Sequence, residues 1–357
     1  MKIMIMAGGT GGHIFPAAAV AEQFKVEGWG IRWLGSFRGM EGQIVPKLGF
    51  EFCGLPVTAW HGGRLRKLIA PLNLMKALWL SFWILKHEKP DVVLGFGGYA
   101  SAPGGIAAML LRIPIVLHEQ NGVPGLTNKK LEKRAKAVLQ AFPNTFSQPH
   151  EVVGNPVRQD LCSLPAPKER SLGSSKKLKI LVLGGSQGAL AINEVLPKAL
   201  ALAKTNVSIE IWHQSGKNKA ETTQNEYRQL KQEASVVEFI EDMRAAYEWA
   251  DLVVARSGAS TVSELAAVGV YSILIPYPWH KDKQQYQNAS WLTDGEAAKC
   301  IEQAELTPEV LANEMDYWNK NRAHLLKNAE KARVMGVRDS AKRIVKIVNE
   351  LLPSKAV

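Results

Sequence analysis

The residues best equipped for chemistry lie between Asp251 and Ser290. An apolar run of strand length, Leu252 to Ala255, ends in the turn Arg256-Ser257-Gly258-Ala259-Ser260-Thr261, and helical spacing follows through Val262, Leu265, Ala266 and Gly269. A strand, a tight turn and a helix N-terminus aim unpaired backbone N–H groups and the positive end of a helix dipole at whatever sits above the strand ends. That is a place for an anion. Glu264 lies one turn into the helix, where a carboxylate can accept hydrogen bonds from a ribose diol. A second strand, Ser272 to Pro276, delivers His280, Lys281, Asp282, Gln284 and Gln285 on a polar loop. Phosphate donors, a diol acceptor and amide side chains in one βαβ unit are what a sugar nucleotide requires. The same residues also suit an ordinary βα turn in which Glu264 balances a helix dipole.

A related constellation opens the chain. Lys2 to Met6 reads as a first strand that ends in Gly8-Gly9-Thr10-Gly11-Gly12-His13. Helical spacing resumes at Phe15, Ala18, Ala19 and Phe24, with Pro16 suited to a first helical turn. The glycines let a bulky anion approach the backbone, and His13 is delivered to the same place. A dinucleotide fingerprint needs a third glycine and an acid after the next strand. Ile14 occupies the third position, and the next strand, Ile31 to Leu34, ends in Gly35-Ser36-Phe37. NAD binding is therefore disfavoured, and no Gly-Lys-Ser/Thr follows to make a Walker loop.

The elements that must position these groups repeat. Asp91 to Leu94 is a strand followed by Gly95-Phe96-Gly97-Gly98-Tyr99-Ala100-Ser101 and a helix-compatible Gly105 to Leu111. Ile115 to His118 ends in His118-Glu119-Gln120-Asn121, polar residues at the end of a parallel strand, where open α/β sheets bind ligands. Gly154-Asn155-Pro156-Val157-Arg158 leads into a Pro-, Ser- and Lys-rich linker, Ser163 to Lys177. A second cycle then begins with Ile180 to Leu183, the turn Gly184-Gly185-Ser186-Gln187-Gly188 and a helix from Asn193 to Leu200. Ile209 to Trp212 follows, again without an acid. Two doubly wound α/β halves are expected. The tail, Asp339 to Leu352, reads as an amphipathic helix through Ile344, Ile347, Val348 and Leu351 that packs back across the other half.

Composition narrows the class. The 357 residues suffice for two domains with sizeable cores. Cys53, Cys162 and Cys300 stand far apart, which argues against a disulfide framework or a zinc site and fits a reducing cytosol. Ile3 to Ala7 is too short for a signal-peptide core. The net charge is +11, and Met1–Val157 carries 17 Lys and Arg against 9 Asp and Glu, while the rest carries 27 against 24. Nucleic acid or an anionic membrane surface would suit such a front half, as would a solubilising surface with no partner. Leu68 to Lys86 is the most apolar segment, but Pro71, Asn73 and Lys76 interrupt it too often for a membrane span. Leu72, Met75, Trp79 and Phe82 form one stripe, with Leu74, Leu78 and Leu85 off it and Arg64, Arg66, Lys67, Lys86 and Lys89 around it. Either this is a buried core helix, or its outer face dips into an anionic bilayer surface.

The motifs Gly8–His13 (GGTGGH), Gly97–Ser101 (GGYAS), His118–Asn121 (HEQN), Gly154–Arg158 (GNPVR), Gly184–Gly188 (GGSQG) and Ser257–Glu264 (SGASTVSE) occur in one order over nearly the whole chain. Together they resemble the MurG family, the GlcNAc transferases of bacterial peptidoglycan synthesis, which are GT-B glycosyltransferases. The resemblance implies two Rossmann-like, doubly wound parallel-sheet domains facing across a cleft. Residues 1–160 would bind the acceptor and dock on the membrane, 161–338 would bind UDP-GlcNAc, and 339–357 would be a helix returning to the first domain. The reaction would carry GlcNAc from UDP-GlcNAc to the C4 hydroxyl of undecaprenyl-diphospho-MurNAc-pentapeptide with inversion, at the cytoplasmic face of the bacterial inner membrane. The lipid-linked acceptor favours membrane docking through Arg64–Lys89.

Roles carry over by motif. Glu264 resembles the ribose carboxylate and Ile240 the backbone contact to uracil. Ser186, Arg158 and the turn Ala259, Ser260 and Thr261 would hold the nucleotide diphosphate, and Val262 and Ser263 are counted with them among the substrate-binding residues. Gln284 and Gln285 would contact the GlcNAc hydroxyls, while Asn121, Thr10, Gly11 and Gly12 would line the acceptor side. His13 is the expected general base, since an imidazole titrates near neutral pH; alternatively it only positions the acceptor and the proton leaves to Glu119 or water. Ser260 stands where related sequences often carry leucine. No D-x-D motif is present, so charge on the leaving β-phosphate is expected to meet the helix dipole and backbone N–H groups, with no cofactor and no essential metal.

Three rivals remain at this level. A UDP-GlcNAc epimerase of GT-B fold keeps the fold and changes the chemistry. A nucleic-acid-binding protein would stack bases on aromatics in a basic groove, but Trp79, Phe82 and Trp83 lie in an apolar helix, so no nucleic-acid partner is expected. A NAD-dependent oxidoreductase is weakened by the missing acids.

Overall fold

The structure, a computed structural model, describes residues 1–56, 64–98, 101–170 and 176–352. The chain divides into two compact units, Met1–Arg158 with Arg338–Val357, and Gln159–Val337. Of the motifs and linker expected from sequence, Tyr99, Ala100 and residues 171–175 lie outside the described residues.

The first unit is built on β1 (Lys2–Ala7), β2 (Gly30–Ser36), β3 (Glu51–Leu55), β4 (Val92–Gly97), β5 (Ile115–Glu119), β6 (Ala137–Gln140) and β7 (Glu151–Val152). They form a parallel sheet in the order β3-β2-β1-β4-β5-β6-β7. The second unit has β8 (Leu178–Leu183), β9 (Ile209–Gln214), β10 (Ser235–Val237), β11 (Leu252–Ala255), β12 (Tyr271–Leu274) and β13 (Ala298–Cys300), parallel in the order β10-β9-β8-β11-β12-β13.

Central strands are covered on both faces, which is why they read as continuous apolar runs. Ile5 pairs with Trp33 on one side and Leu94 on the other, and Val254 with Val182 and Ile273; all are fully buried. The strands β3, β7, β10 and β13 carry no such run. In β3, for example, Glu51 and Gly54 are exposed, so no apolar signal marks the strand in the sequence. Each sheet reverses its strand order once, between β1 and β4 and between β8 and β11. The four small-residue turns leave the C-terminal ends of those four strands, at the switch points where open α/β sheets take ligands.

Three helices begin earlier than their apolar spacing suggests: Gly11–Val26, Ser101–Leu110 and Leu190–Leu202. Pro16 therefore falls in the second turn rather than the first, where it removes one rung of the hydrogen-bond ladder. The tail helix, Ser340–Leu351, buries Ile344, Val345 and Val348 in one core with Ala17, Val20, Ala21 and Phe24 of Gly11–Val26. Its first residue is tied in as well, because Ser340 Oγ donates to the Gly154 carbonyl at 2.9 Å.

The helix Arg64–Glu88 corrects the expected stripe. Ala77, Ser81 and Leu85 are its buried face, and Leu72, Met75, Trp79 and Trp83 are exposed on another. Trp83, not Phe82, completes the outer stripe, because Phe82 packs partly against the core. Lys86 Nζ sits 4.9 Å from the Trp83 ring centroid, a cation–π arrangement. The side chains of Arg64, Arg66 and Lys67 lie outside the described residues. No described helix is long and apolar enough to cross a membrane.

Candidate functional site

In the first unit, β1 hands the chain to Gly9, whose φ of +87° only glycine adopts readily, and then to Thr10, the extended N-cap of Gly11–Val26. His13 is the third residue of that helix and half-buried. Its Nδ1 lies 3.0 Å from the Gly8 carbonyl oxygen. A carbonyl can only accept, so Nδ1 carries a proton, and in the neutral ring Nε2 holds the lone pair. The Thr10 hydroxyl approaches the same Nδ1 at 3.4 Å. The β4 turn packs onto this one: a Cβ on Gly98 (φ +94°) would drive into the Gly8 carbonyl, and one on Gly97 (φ +95°) would lie 3.5 Å from His13 Nε2. Ser101 Oγ bridges the two strand ends, donating to the carbonyls of Met6 (3.1 Å) and Gly97 (2.7 Å).

The end of β5 is a closed polar cluster. Glu119 is 2 % exposed, and its two oxygens accept from Asn121 N (3.1 Å), Asn121 Nδ2 (3.4 Å), Gly125 N (3.0 Å) and Asn128 Nδ2 (2.9 Å). A carboxylate engaged in this way shapes the Asn121 turn. His118 is fully buried, donating from Nε2 to the Gly154 carbonyl (2.9 Å) and accepting at Nδ1 from Gln120 Nε2 (3.1 Å). Asn121 and Arg158 are half-buried, Arg158 being the last residue of this stretch of the unit.

In the second unit, Gly185 (φ +78°) and Gly188 (φ +74°) shape the turn after β8 and leave Ser186 exposed. After β11, Gly258 is the extended N-cap of helix Ala259–Val268, with no side chain capping it and no acid in its first turn. The backbone N–H groups of Ala259, Ser260 and Thr261 have no helical acceptor. Val262 and Ser263 are buried, and the Val262 N–H is already given to the Gly258 carbonyl at 2.9 Å. Ser260 Oγ is enclosed without a hydrogen-bond partner among the described residues, an environment that suits an apolar side chain as well as a serine.

Glu264 is already held: its Oε2 accepts from the fully buried Tyr247 hydroxyl at 2.9 Å. Ile240 is buried and gives its N–H to Gln214 Oε1 (3.0 Å), which leaves its carbonyl for a base. Gln284 and Gln285 open the helix Gln284–Asp294. Gln284 Nε2 lies 3.1 Å from His280 Nδ1, and Gln285 Oε1 accepts from the Tyr277 backbone N–H at 2.8 Å. An amide nitrogen carries two N–H groups and its oxygen two lone pairs, so each glutamine keeps donor and acceptor capacity for a ligand. Arg256 fixes the intervening loop, donating to the carbonyls of Ile275 (3.0 Å) and Pro276 (3.1 Å). Tyr247 and Glu41 escape a sequence reading because neither belongs to a recognisable motif, and the turn that contains Arg256 does not disclose the carbonyls it holds.

Two buried histidines give the protein an acid sensitivity. Burial pushes His118 down to about 4 and His213 down to about 3. The ordinary value of the unfolded chain is near 6.5. Below pH 6.5 the unfolded chain takes up protons that the folded one refuses, so stability is complete above that pH and falls as the pH drops toward 4. The slope approaches about 1.4 kcal/mol per pH unit for each histidine. Denaturant melts between pH 7.5 and 4.5 should show this loss. His213→Gln, which retains a donor for Asn193 Oδ1 (3.1 Å) and an acceptor for the Tyr227 hydroxyl (3.1 Å), should flatten the slope; an unchanged slope would count against the assignment.

Family models match in chain order, the glycosyltransferase family 28 N-terminal domain over residues 3–140 and its C-terminal domain over residues 179–344. The chain is 46% identical to a protein of Proteus mirabilis, with 98% of each chain covered. It is 47% identical to one of Haemophilus influenzae, again with 98% of each covered. Both are named UDP-N-acetylglucosamine--N-acetylmuramyl-(pentapeptide) pyrophosphoryl-undecaprenol N-acetylglucosamine transferase. Among solved structures, MurG of Acinetobacter baumannii superposes with a TM-score of 0.86 at 38% identity, covering 98% of this chain and 99% of that one.

Proposed function

The chain belongs to glycosyltransferase family 28 and has the GT-B fold, and on that premise we propose that it moves GlcNAc from UDP-GlcNAc to the C4 hydroxyl of undecaprenyl-diphospho-MurNAc-pentapeptide, a step of peptidoglycan synthesis. The observation that carries this reading is the 46–47% identity, along nearly the whole chain, to enzymes of that name. An epimerase has less support, since those relatives are named as transferases.

The second unit holds the donor. The uncapped N-terminus Ala259–Thr261 and Ser186 take the diphosphate. Glu264 takes the ribose diol, the Ile240 carbonyl takes the uracil N–H, and Gln284 and Gln285 take sugar hydroxyls. The first unit holds the acceptor along Thr10–Gly12 and Asn121. His13 Nε2 removes the C4 hydroxyl proton as O4 attacks the anomeric carbon. The bond from that carbon to the β-phosphate oxygen breaks with its electron pair leaving on UDP, and one displacement inverts the centre to a β linkage. Negative charge growing on the leaving phosphate meets the helix dipole and N–H groups already aimed at it.

Transfer of labelled GlcNAc to a lipid-diphospho-MurNAc-peptide is the direct test. Acceptor-dependent product is expected; turnover of UDP-GlcNAc without acceptor, and no disaccharide, would favour the epimerase.

The acceptor's lipid assigns the exposed face of Arg64–Glu88 a task at the cytoplasmic surface of the bacterial inner membrane. Leu72, Met75, Trp79 and Trp83 enter the interface while Lys76, Lys86 and Lys89 meet anionic headgroups. Replacing Trp79 and Trp83 by serine should weaken partition onto vesicles containing anionic phospholipid by about tenfold or more, with wild-type turnover of detergent-dispersed acceptor. Undiminished vesicle binding would remove this helix from the interface.

A further inference from the structure

Glu41 is a buried carboxylate that nothing in the reaction above employs. It is the second residue of helix Met40–Lys47 and 2 % exposed. Its Oε2 accepts from the Gly9 backbone N–H at 3.0 Å, and its Oε1 from the Ser36 N–H at 2.9 Å. No lysine or arginine pairs with it among the described residues. Burying an ionised group without a counter-charge is costly unless hydrogen bonds repay it, so its place calls for a reason. Glycines make that place: a Cβ on Gly8, Gly35 or Gly39 would collide with the Glu41 side chain.

The N–H that Glu41 holds and the C=O that holds His13 belong to one peptide group. Gly9 N–H faces the carboxylate, and the Gly8 carbonyl on the opposite edge of the same planar unit accepts the His13 Nδ1 proton at 3.0 Å. Fixing one edge of a trans peptide fixes the direction of the other. The carboxylate also polarises the peptide, which strengthens its carbonyl as an acceptor. Without that anchor, Gly9 at φ +87° and its glycine neighbours are free to rotate the peptide away.

We propose that Glu41 is a positioning residue for His13, acting through the Gly8–Gly9 peptide to hold the imidazole as the Nδ1–H tautomer with Nε2 as proton acceptor. The arrangement runs carboxylate, peptide, imidazole. It does for this histidine what a directly bonded carboxylate does for the histidine of a hydrolase triad, and it rests on the reading of His13 as general base.

Glu41→Gln tests it. The amide matches the carboxylate in size but lacks its charge and turns an N–H toward either Gly9 N–H or Ser36 N–H. The expected result is a fall in kcat of about 10- to 100-fold, with KM for UDP-GlcNAc within twofold of wild type. The acid limb of the kcat profile should move to lower pH, because an imidazole without its carbonyl partner is less basic. Glu41→Gln should also cost nothing further in a His13→Ala background. A purely structural role would lower the active fraction and leave the limb in place. Nitrogen-15 spectra of labelled histidine, with His13 assigned by its loss in His13→Ala, read the tautomer independently of activity; Glu41→Gln should convert a pure Nδ1–H signal into a mixture.

Wild-type kcat, an unmoved acid limb, an unchanged tautomer, or a loss that adds to that of His13→Ala would each overturn the proposal. A slow His13→Ala beside a fast Glu41→Gln would overturn this proposal alone. A fast His13→Ala would bring down the general-base reading and the role of Glu41 with it.

Discussion

His13→Ala should lower kcat by about 10²- to 10⁴-fold, the range a positioned general base contributes, and leave the affinity for UDP-GlcNAc within twofold. The separation follows from the chain itself: His13 stands on the helix Gly11–Val26 of the first unit, while Ala259–Glu264 and Gln284–Gln285 belong to the second. His13→Gln sharpens the test. Its amide N–H can still reach the Gly8 carbonyl and its oxygen can still hold an acceptor hydroxyl, but it cannot take up a proton. A glutamine variant as slow as the alanine variant assigns His13 the proton; one near wild-type kcat would reduce it to a hydrogen bond that orients the acceptor. Single-turnover transfer at saturating UDP-GlcNAc distinguishes the two, because product release then leaves the measured rate.

Glu264→Ala should raise KM for UDP-GlcNAc by about 100-fold or more. Two hydrogen bonds from a ribose diol to a carboxylate are worth about 1.5–3 kcal/mol each, and the alanine returns none of them. The variant also removes the 2.9 Å hydrogen bond from the Tyr247 hydroxyl, so some loss of stability accompanies it, about 1.5–3 kcal/mol for a hydrogen bond to a charged group. Glu264→Gln separates the effects, since its carbonyl still accepts from Tyr247. The deciding measurement is calorimetric binding of UDP beside 2′-deoxy-UDP. Wild type should discriminate between them, and both variants should lose most of that discrimination. Equal discrimination in Glu264→Ala would place the ribose elsewhere.

The parts of this protein legible in its sequence are those set by local rules. Apolar runs such as Ile3–Ala7 and Leu252–Ala255 announce strands because a doubly covered parallel sheet buries both of their faces. The glycine turns after β1, β4 and β8 announce themselves because positive φ and close backbone approach exclude other residues. The tail helix carries its buried face in its own spacing, and six short motifs in order suffice for the family. The structure alone decides what depends on atoms far apart in the chain. Glu41 reaches Gly9 across 32 positions, and Tyr247 reaches Glu264 across 17. The Gly8 carbonyl, aimed by such contacts, selects the tautomer of His13. Helix Arg64–Glu88 shows the same limit from the apolar side. Several of its faces are hydrophobic, and spacing cannot say that Phe82 turns inward and Trp83 outward, because the neighbours that cover a face are set by the sheet and not by the helix. Hydrogen bonds and covered faces are properties of relative placement, and only the folded chain supplies it.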